Sequence, residues 1–230
     1  MKNLLLIPTM LLAACATTGG GGGKGSTAPF QGPDVVTKRR TEIADSARKA
    51  SEDCMKMTKD EQKLFKGATF VVTADAAGKL SIDPVRWNGP EQTKQCLLGE
   101  ANKVTVTPLP GPSVSSIWSW DAEGEKAPEP VTPADLDKSM QSLQLVSQNQ
   151  VESCEQQNLP PEMPADITVN FFVDAQGKTH GPTVMKSTAK DGGFDSCVQK
   201  VISGMQFPSS DSKVPYPVTL SFHVGRLEKL

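Results

Sequence analysis

Cysteine is the residue type in this chain whose number and spacing most directly indicate chemistry. The 230-residue sequence holds five cysteines, the last four being Cys54, Cys96, Cys154 and Cys197. These four lie 42 or more residues apart, whereas structural zinc usually takes its thiolates from close pairs such as C-x₂-C. Distant cysteines in even number are typical of disulfides when the compartment is oxidising, and four of them allow three pairings.

The N-terminus indicates such a compartment. A basic residue and an apolar stretch of 11 residues open the chain and end on small residues, which is the order of a secretory signal and its cleavage site. A membrane-spanning helix needs about 20 residues, so we do not expect this segment to be a permanent membrane anchor. The ending Leu12-Ala13-Ala14-Cys15 resembles the lipobox of bacterial lipoproteins. The resemblance implies cleavage between Ala14 and Cys15 and a lipidated Cys15.

The residues after Cys15 indicate how the folded part is held. A glycine-rich run follows, and such chain behaves as a flexible coil. We therefore expect a tether over residues 15–33. Ala16 rather than Asp follows the cysteine, which among lipoproteins favours the outer membrane, and we expect the protein to face the periplasm.

An internal repeat selects the disulfide pairing. Cys54 and Cys154 are 100 residues apart, Cys96 and Cys197 are 101 apart, and an Asp-Ala-x-Gly turn recurs after 99. Landmarks in the same order at one period indicate a duplicated unit. A unit that folds by itself should form its disulfide between its own two cysteines. The predicted bridges are Cys54–Cys96 and Cys154–Cys197.

Each unit has the pattern α-β-β-α-β. In the second unit Thr132-Pro133-Ala134-Asp135 predicts a helix start with Thr132 as N-cap, and Asp174-Ala-Gln-Gly177 predicts the turn of a hairpin. We expect an α+β fold, each unit having a three-stranded antiparallel sheet, two helices packed on it and one disulfide. The predicted segments are a signal peptide (1–14), a tether (15–33), a first domain (34–121), an acidic, proline-rich linker (122–133) and a second domain (134–230).

A short motif in the second unit carries a resemblance to a known family. The run Gly193-Phe194-Asp195-Ser196-Cys197-Val198 leads to Gln206-Phe207-Pro208. With the element order, it resembles the TonB C-terminal domain, and most closely its cysteine-containing AgmX/PglI C-terminal type. The match covers about residues 136–226 and is weaker in the first unit. The resemblance implies a protein-interaction module, and domains of this kind present sheet edges to partner strands.

Other candidate chemistry is sparse. His180 corresponds to Ser81 in the repeat and His223 alternates with apolar residues, so we interpret both as structural or solvated rather than as ligands or bases. Trp118 and Trp120 are two residues apart and share a strand face. With Trp87 they either fill the first core or form a binding surface.

We therefore predict a non-catalytic, lipid-anchored envelope protein that binds protein partners, in a motility, secretion or envelope-spanning complex. The formal charge of −2 argues against nucleic acid as a partner. We expect no enzyme activity, cofactor or metal. The alternative is a glycan- or peptidoglycan-binding lipoprotein that uses Trp118 and Trp120. Nothing in the sequence fixes whether the two domains pack together.

Overall fold

The computed structural model describes residues 28–56, 59–121, 130–161 and 163–225. The predicted signal peptide, Ala14 and Cys15, and most of the predicted tether and linker lie outside these residues. The helices are α1 (Pro33–Ser51), α2 (Lys59–Leu64), α3 (Glu91–Ala101), α4 (Leu136–Asn158) and α5 (Gly192–Ser203), and a 3-10 helix (Asp53–Met55) follows α1. The strands are β1 (Gly67–Ala74), β2 (Leu80–Asn88), β3 (Val114–Trp120), β4 (Ala165–Val173), β5 (Thr179–Ser187) and β6 (Tyr216–Val224).

Two three-stranded antiparallel sheets organise these elements, with the strand orders β2-β1-β3 and β5-β4-β6. In each sheet the first strand is central, its hairpin partner lies on one side and the last strand on the other. We call residues 28–121 the first unit and residues 130–225 the second unit. The predicted α+β class with two small three-stranded units is confirmed at this level. None of the described helices combines the length and the apolar character that crossing a bilayer requires.

Local sequence explains the hairpin turns. The carboxylate of Asp75 accepts the backbone N–H of Lys79, and that of Asp174 accepts the N–H of Lys178, both at 2.9 Å. Gly78 and Gly177 both have φ of 82°, which favours glycine because it has no Cβ. A Cβ at Gly177 would also collide with the carbonyl oxygen of Phe207.

The start of α4 differs from the prediction. The helix begins at Leu136, and Asp135 rather than Thr132 is its N-cap residue. A turn in which the Leu136 N–H donates to the Pro133 carbonyl precedes it, and Val131 N–H donates to the Ser212 hydroxyl at 2.9 Å. The segment before the helix is therefore held on a loop of its own unit, and this long-range contact cannot be predicted from capping propensity.

Each unit buries one face of its sheet against its helices. The first core contains Ile43 and Ala47 of α1, and the second contains Val151 of α4 and Val198 of α5. The disulfides join the same layers and have the predicted pairing. They are Cys54–Cys96 and Cys154–Cys197, with a Cα–Cα distance of 5.7 Å in each.

Candidate functional site

The two units meet through the sheet faces that are turned away from their own helices. Side chains of directly paired strand residues project to one face, so Val71 shares a face with its partners Asp83 and Ile117. In the second sheet, Phe172 shares a face with its partner His180. We call the contact between these two faces the seam.

Gly181 brings the two sheets together. A Cβ on this residue would lie 2.6 Å from Val71 Cγ1 and 2.7 Å from Ser115 Cβ. Next to it, the Ser115 N–H donates to the Thr183 hydroxyl at 2.8 Å. Val71 and Ser115 are almost fully buried. The seam is therefore a close packing of small residues, which needs a residue without a side chain at position 181.

Arg40 of α1 ties both units together. Its Nε donates to the Ser115 carbonyl at 2.8 Å, and its Nη2 donates to Asn170 Oδ1 at 2.7 Å. The guanidinium carbon also lies 5.9 Å from the centre of the Phe172 ring, within the range of a cation–π contact. One side chain of the first unit thus contacts two residues on the second sheet, on the face that forms the seam.

His180 crosses the seam between two carboxylates. Its Nδ1 lies 2.6 Å from Asp83 Oδ2 in the first unit, and its Nε2 lies 2.7 Å from Asp174 Oδ2 in its own unit. Carboxylates only accept hydrogen bonds, so both ring nitrogens donate when the ring is the imidazolium. Burial lowers the pKa of His180, but the bonds to Asp83 and Asp174 outweigh burial and raise that pKa above its usual value. The bond to His180 in turn lowers the pKa of Asp83.

This arrangement uses the histidine for structure. The His180 side chain is 4% exposed, and both of its nitrogens are engaged, so a substrate has no free ring nitrogen to meet in this state. His223 instead pairs with Asp166 at 2.8 Å near the surface, where both side chains are about half exposed. Among the residues that the structure describes, neither histidine is paired with a nucleophile as in Ser/His or Cys/His catalysis.

The chain enters the fold between the two hydrophobic cores. Phe30, which lies inside the predicted tether, packs against both hydrophobic cores. Its backbone N–H bonds the carboxylate of Asp195, which also accepts the Ser187 hydroxyl at 2.7 Å. Asp195 is fully buried, and its Oδ2 has no hydrogen-bond partner among the described residues. Burial raises the pKa of Asp195 to about 6.

A cleft of about 530 Å³ opens beside the seam. Hydroxyl groups line much of it, and most of them bond to the protein. The Thr73 and Ser115 hydroxyls are 2.7 Å apart, and Gln199 Nε2 donates to the carbonyls of Ser113 and Pro182 at 2.8 Å each. These bonded polar groups therefore stabilise the walls of the cleft.

Each sheet edge carries a feature that opposes strand addition. On β3, both backbone groups of Ser115 are bonded, to Thr183 and Arg40. On β6, the carbonyls of Ser221 and His223 accept from Gln144 at 2.6 Å and Gln148 at 3.1 Å of α4.

The other edges contain proline, which lacks the N–H that a ladder needs. Pro84 lies in β2 beside an irregularity in the pairing with β1, and Pro182 lies in β5. Proline, bulges and covering side chains are the means by which proteins protect sheet edges.

All three tryptophans contact the first core, but they are buried to different extents. Trp118 is 6% exposed and stacks on Phe70 with ring centres 5.0 Å apart. It is a core residue, so the pair Trp118 and Trp120 is not a stacking platform. Trp87 and Trp120 are half-buried against the same core. The large rings of this core belong to its strands rather than to its helices, namely Phe70, Trp87, Trp118 and Trp120.

Sequence reasoning missed Arg40, Asp83, His180 and Asp195 as a group. The repeat pairs His180 with Ser81 and predicts a structural or solvated histidine, but it does not predict the partners of His180, because an interface between two similar units need not use matched positions. The signal was the buried-strand position of a histidine in a run without large apolar neighbours. No protein-family model matches the chain, and no curated protein and no solved structure is significantly similar to it.

Proposed function

We propose that this chain is a non-catalytic protein, lipid-anchored at the outer membrane and facing the periplasm, whose two units bind protein partners in an envelope assembly. The sequence ending Leu12-Ala13-Ala14-Cys15 supports the anchor. The disulfides Cys54–Cys96 and Cys154–Cys197 fit an oxidising compartment. The resemblance of the second unit to the TonB C-terminal domain supports an interaction module.

The seam is the main structural observation in support of a non-catalytic function. It engages the buried histidine, its two carboxylates and Arg40 in joining one unit to the other. Four cysteines are bridged. The buried histidine and the bridged cysteines thus have structural roles, which supports a non-catalytic function, and the joined units have their outer helix faces open to partners.

The protected sheet edges favour docking on a helix face over strand addition. A partner strand would have to displace Arg40 and Thr183 from β3, or Gln144 and Gln148 from β6. Each displacement breaks a hydrogen bond to a strand backbone group, and the partner strand would have to replace that bond. A helix face needs no such exchange.

The function is tested by capture from native envelopes. The lipidated chain is cross-linked in cells, purified under denaturing conditions and analysed for covalently attached proteins. We expect one or more specific protein partners that are lost with the double variant Cys154→Ser/Cys197→Ser, which disrupts the second unit. Recovery of no protein, together with binding of the purified chain to glycan strands, would overturn the proposal.

The anchor is tested separately. Mass analysis of the mature N-terminal peptide should show a chain that begins at Cys15 and carries fatty acid. Replacement Cys15→Ser should release the protein from the membrane fraction, because two acyl chains are what hold such a protein stably. An unmodified Cys15 in the mature protein would contradict this part.

A further inference from the structure

The residues just before α1 cross the junction of the two units. We call residues 28–32 the strap. Its central residue Phe30 is partly buried and packs against both hydrophobic cores, whereas Pro29 and Gln31 are exposed. On the first unit, a Cβ on Gly111 would lie 3.3 Å from the Pro29 carbonyl oxygen. The strap therefore lies on the surface, with its central ring inserted between the cores.

Asp195 of α5 holds the strap from the side of the second unit. Its carboxylate accepts the backbone N–H of Phe30 and, through Oδ1, the Ser187 hydroxyl at 2.7 Å. Asp195 is fully buried, and its Oδ2 has no hydrogen-bond partner among the described residues. A buried charge is costly unless it is paired and fully hydrogen-bonded. While the strap is in place, this position therefore suits the neutral acid better than the carboxylate.

The elements packed around Asp195 bring it few charges. Residues 28–32 contain no ionisable side chain. Strand β5 contributes the neutral hydroxyl of Ser187, and α4 brings the neutral amide of Asn158 to the first turn of α5. The charged side chains nearest in sequence on these elements are at least partly exposed, namely Lys186, Lys190 and Glu155. No buried cation among them compensates an ionised Asp195.

Burial decides the protonation of Asp195. It raises the pKa of Asp195 to about 6, and the negative charge of Asp191, the N-cap residue of α5, acts in the same direction. The bonds from Ser187 and Phe30 lower that pKa without offsetting burial. The charge state of Asp195 therefore depends on whether the strap keeps water away from it.

We propose that Asp195 is a pH-sensitive latch for the strap, which its neutral acid holds across the two cores and its carboxylate loosens. Loosening here means that residues 28–32 lift from the junction while both sheets stay folded. Segments with few buried contacts open at a lower cost than the core does. The strap meets this condition, since one ring and one backbone bond to Asp195 hold it to the second unit.

The sign of the pH dependence follows from proton linkage. In the lifted state water reaches Asp195, and its pKa returns towards the ordinary value of 3.8. The lifted state therefore gains population as the pH rises from about 4 to about 6, and the gain levels off above that. The two pKa values limit the gain to about 100-fold. The latch is thus tightest in acid.

A lifted strap would change the reach of the folded part. Five residues of extended chain span about 17 Å, and they would be added to the segment that leads to Cys15. This consequence rests on the lipid anchor proposed above. The latch itself does not rest on it and can be tested on a chain without lipid.

Amide hydrogen exchange of Phe30, followed by NMR on the mature chain with Cys15→Ser, tests the latch. Rates between pH 4 and pH 7 are divided by the intrinsic exchange rate at each pH, which gives the protection of the amide. We expect the protection of the Phe30 N–H to fall at least tenfold over this range. Amides of β4 should stay more protected at every pH, because they report opening of the core.

Three variants assign the effect to one carboxyl group. Asp195→Asn should make the protection of Phe30 independent of pH, with the fold verified by circular dichroism. The matched control Asp191→Asn removes the neighbouring charge but keeps an N-cap residue, and it should retain the pH dependence. Ser187→Ala removes a bond that lowers the pKa of Asp195, so the fall in protection should extend to higher pH.

Four results would overturn the proposal. The first is protection of Phe30 that rises with pH, which would show that an ionised Asp195 holds the strap more firmly. The second is the same pH dependence in wild type and Asp195→Asn. The third is exchange of Phe30 only together with the amides of β4. The fourth is titration of the Asp195 carboxyl near its ordinary pKa in carbon-13 NMR.

Discussion

The two units share a strand order and a bridge position but place their large side chains differently. In the first unit, the ring of Trp118 stacks on Phe70 in the core, and the exposed side of α1 is charged. In the second unit, Leu220 pairs with Val169 at the corresponding core position, and the exposed side of α4 is apolar at its centre. One scaffold thus accepts two kinds of core and two kinds of surface.

The difference is allowed because each unit needs only a filled core and a covered sheet. The bridges close loops of nearly equal length, 42 and 43 residues, so they stabilise both units alike. The outer sheet faces cover each other at the seam. Helix faces on the far sides remain free to diverge, and it is there that the units differ in charge.

Core truncation gives the largest expected effect in this comparison. Trp118→Ala should destabilise the protein by about 3–5 kcal/mol and Leu220→Ala by about 2–5 kcal/mol, measured as free energies of urea unfolding. Trp120→Ala should cost less, because this side chain is half-buried. If Trp118→Ala left stability unchanged and abolished glycan binding, Trp118 would be a surface residue after all.

Removal of one bridge comes next. The chain-entropy relation gives about 4 kcal/mol for a loop of this length. We expect similar losses for Cys54→Ala/Cys96→Ala and Cys154→Ala/Cys197→Ala, compared by urea unfolding without reductant. A loss confined to one pair would show that the other unit does not depend on its bridge.

Asp195→Asn should stabilise the protein near neutral pH. The folded pKa of Asp195 is raised to about 6 from 3.8, so its ionised form opposes folding above pH 6, and stability should rise as pH falls towards 4. Two pKa units correspond to about 3 kcal/mol as an upper bound. The variant should lose this pH-dependent gain. Parallel unfolding curves of variant and wild type at pH 8 and pH 5 would contradict the prediction.

Gly181→Ala should open the seam at a cost of about 1–3 kcal/mol. The added Cβ meets Val71 and Ser115, and the φ of 57° disfavours a side chain. Gly99→Ala in α3 is the matched control, because its Cβ meets nothing within 4 Å, and it should stabilise slightly. Faster amide exchange in β3 and β5 of the Gly181 variant alone would locate the effect at the seam.

His180→Gln should give the smallest effect, and one that depends on pH. The folded pKa of His180 is raised, so its contribution is complete below about pH 6.5 and is lost as pH rises through the folded value. Wild type should exceed the variant most at pH 5.5 and least at pH 9. His223→Gln provides the exposed control. An equal difference at both pH values would exclude a charged His180.

The sequence predicts much of this fold from local signals. The strand Tyr216–Val224 follows from alternation, α5 from its apolar spacing, and the bridges from the repeat. Each signal lies within a few residues or within one period. The aromatic residue Trp118 could be assigned only as core or surface, because a strand pattern does not say which face its own helices cover.

The seam could not be predicted because its residues are scattered and do not repeat. Arg40, Asp83 and His180 come from three elements of two units, and their partners in the repeat have other chemistry. Two similar units can pack through unlike residues. A comparison of the two copies of the repeat therefore does not identify the residues that form their interface. Buried polar residues of this kind become visible only when the two sheets are placed together.

Phe30 determines how the protein would carry a mechanical load. The chain that leads to residues 1–27 enters between the two cores at Phe30, and the backbone there is bonded to Asp195 of the second unit. A pull on the N-terminus therefore reaches the contacts of Phe30 with both units before it reaches α1. Extension from the N-terminus should therefore break the contacts of Phe30 with both units before α1 detaches.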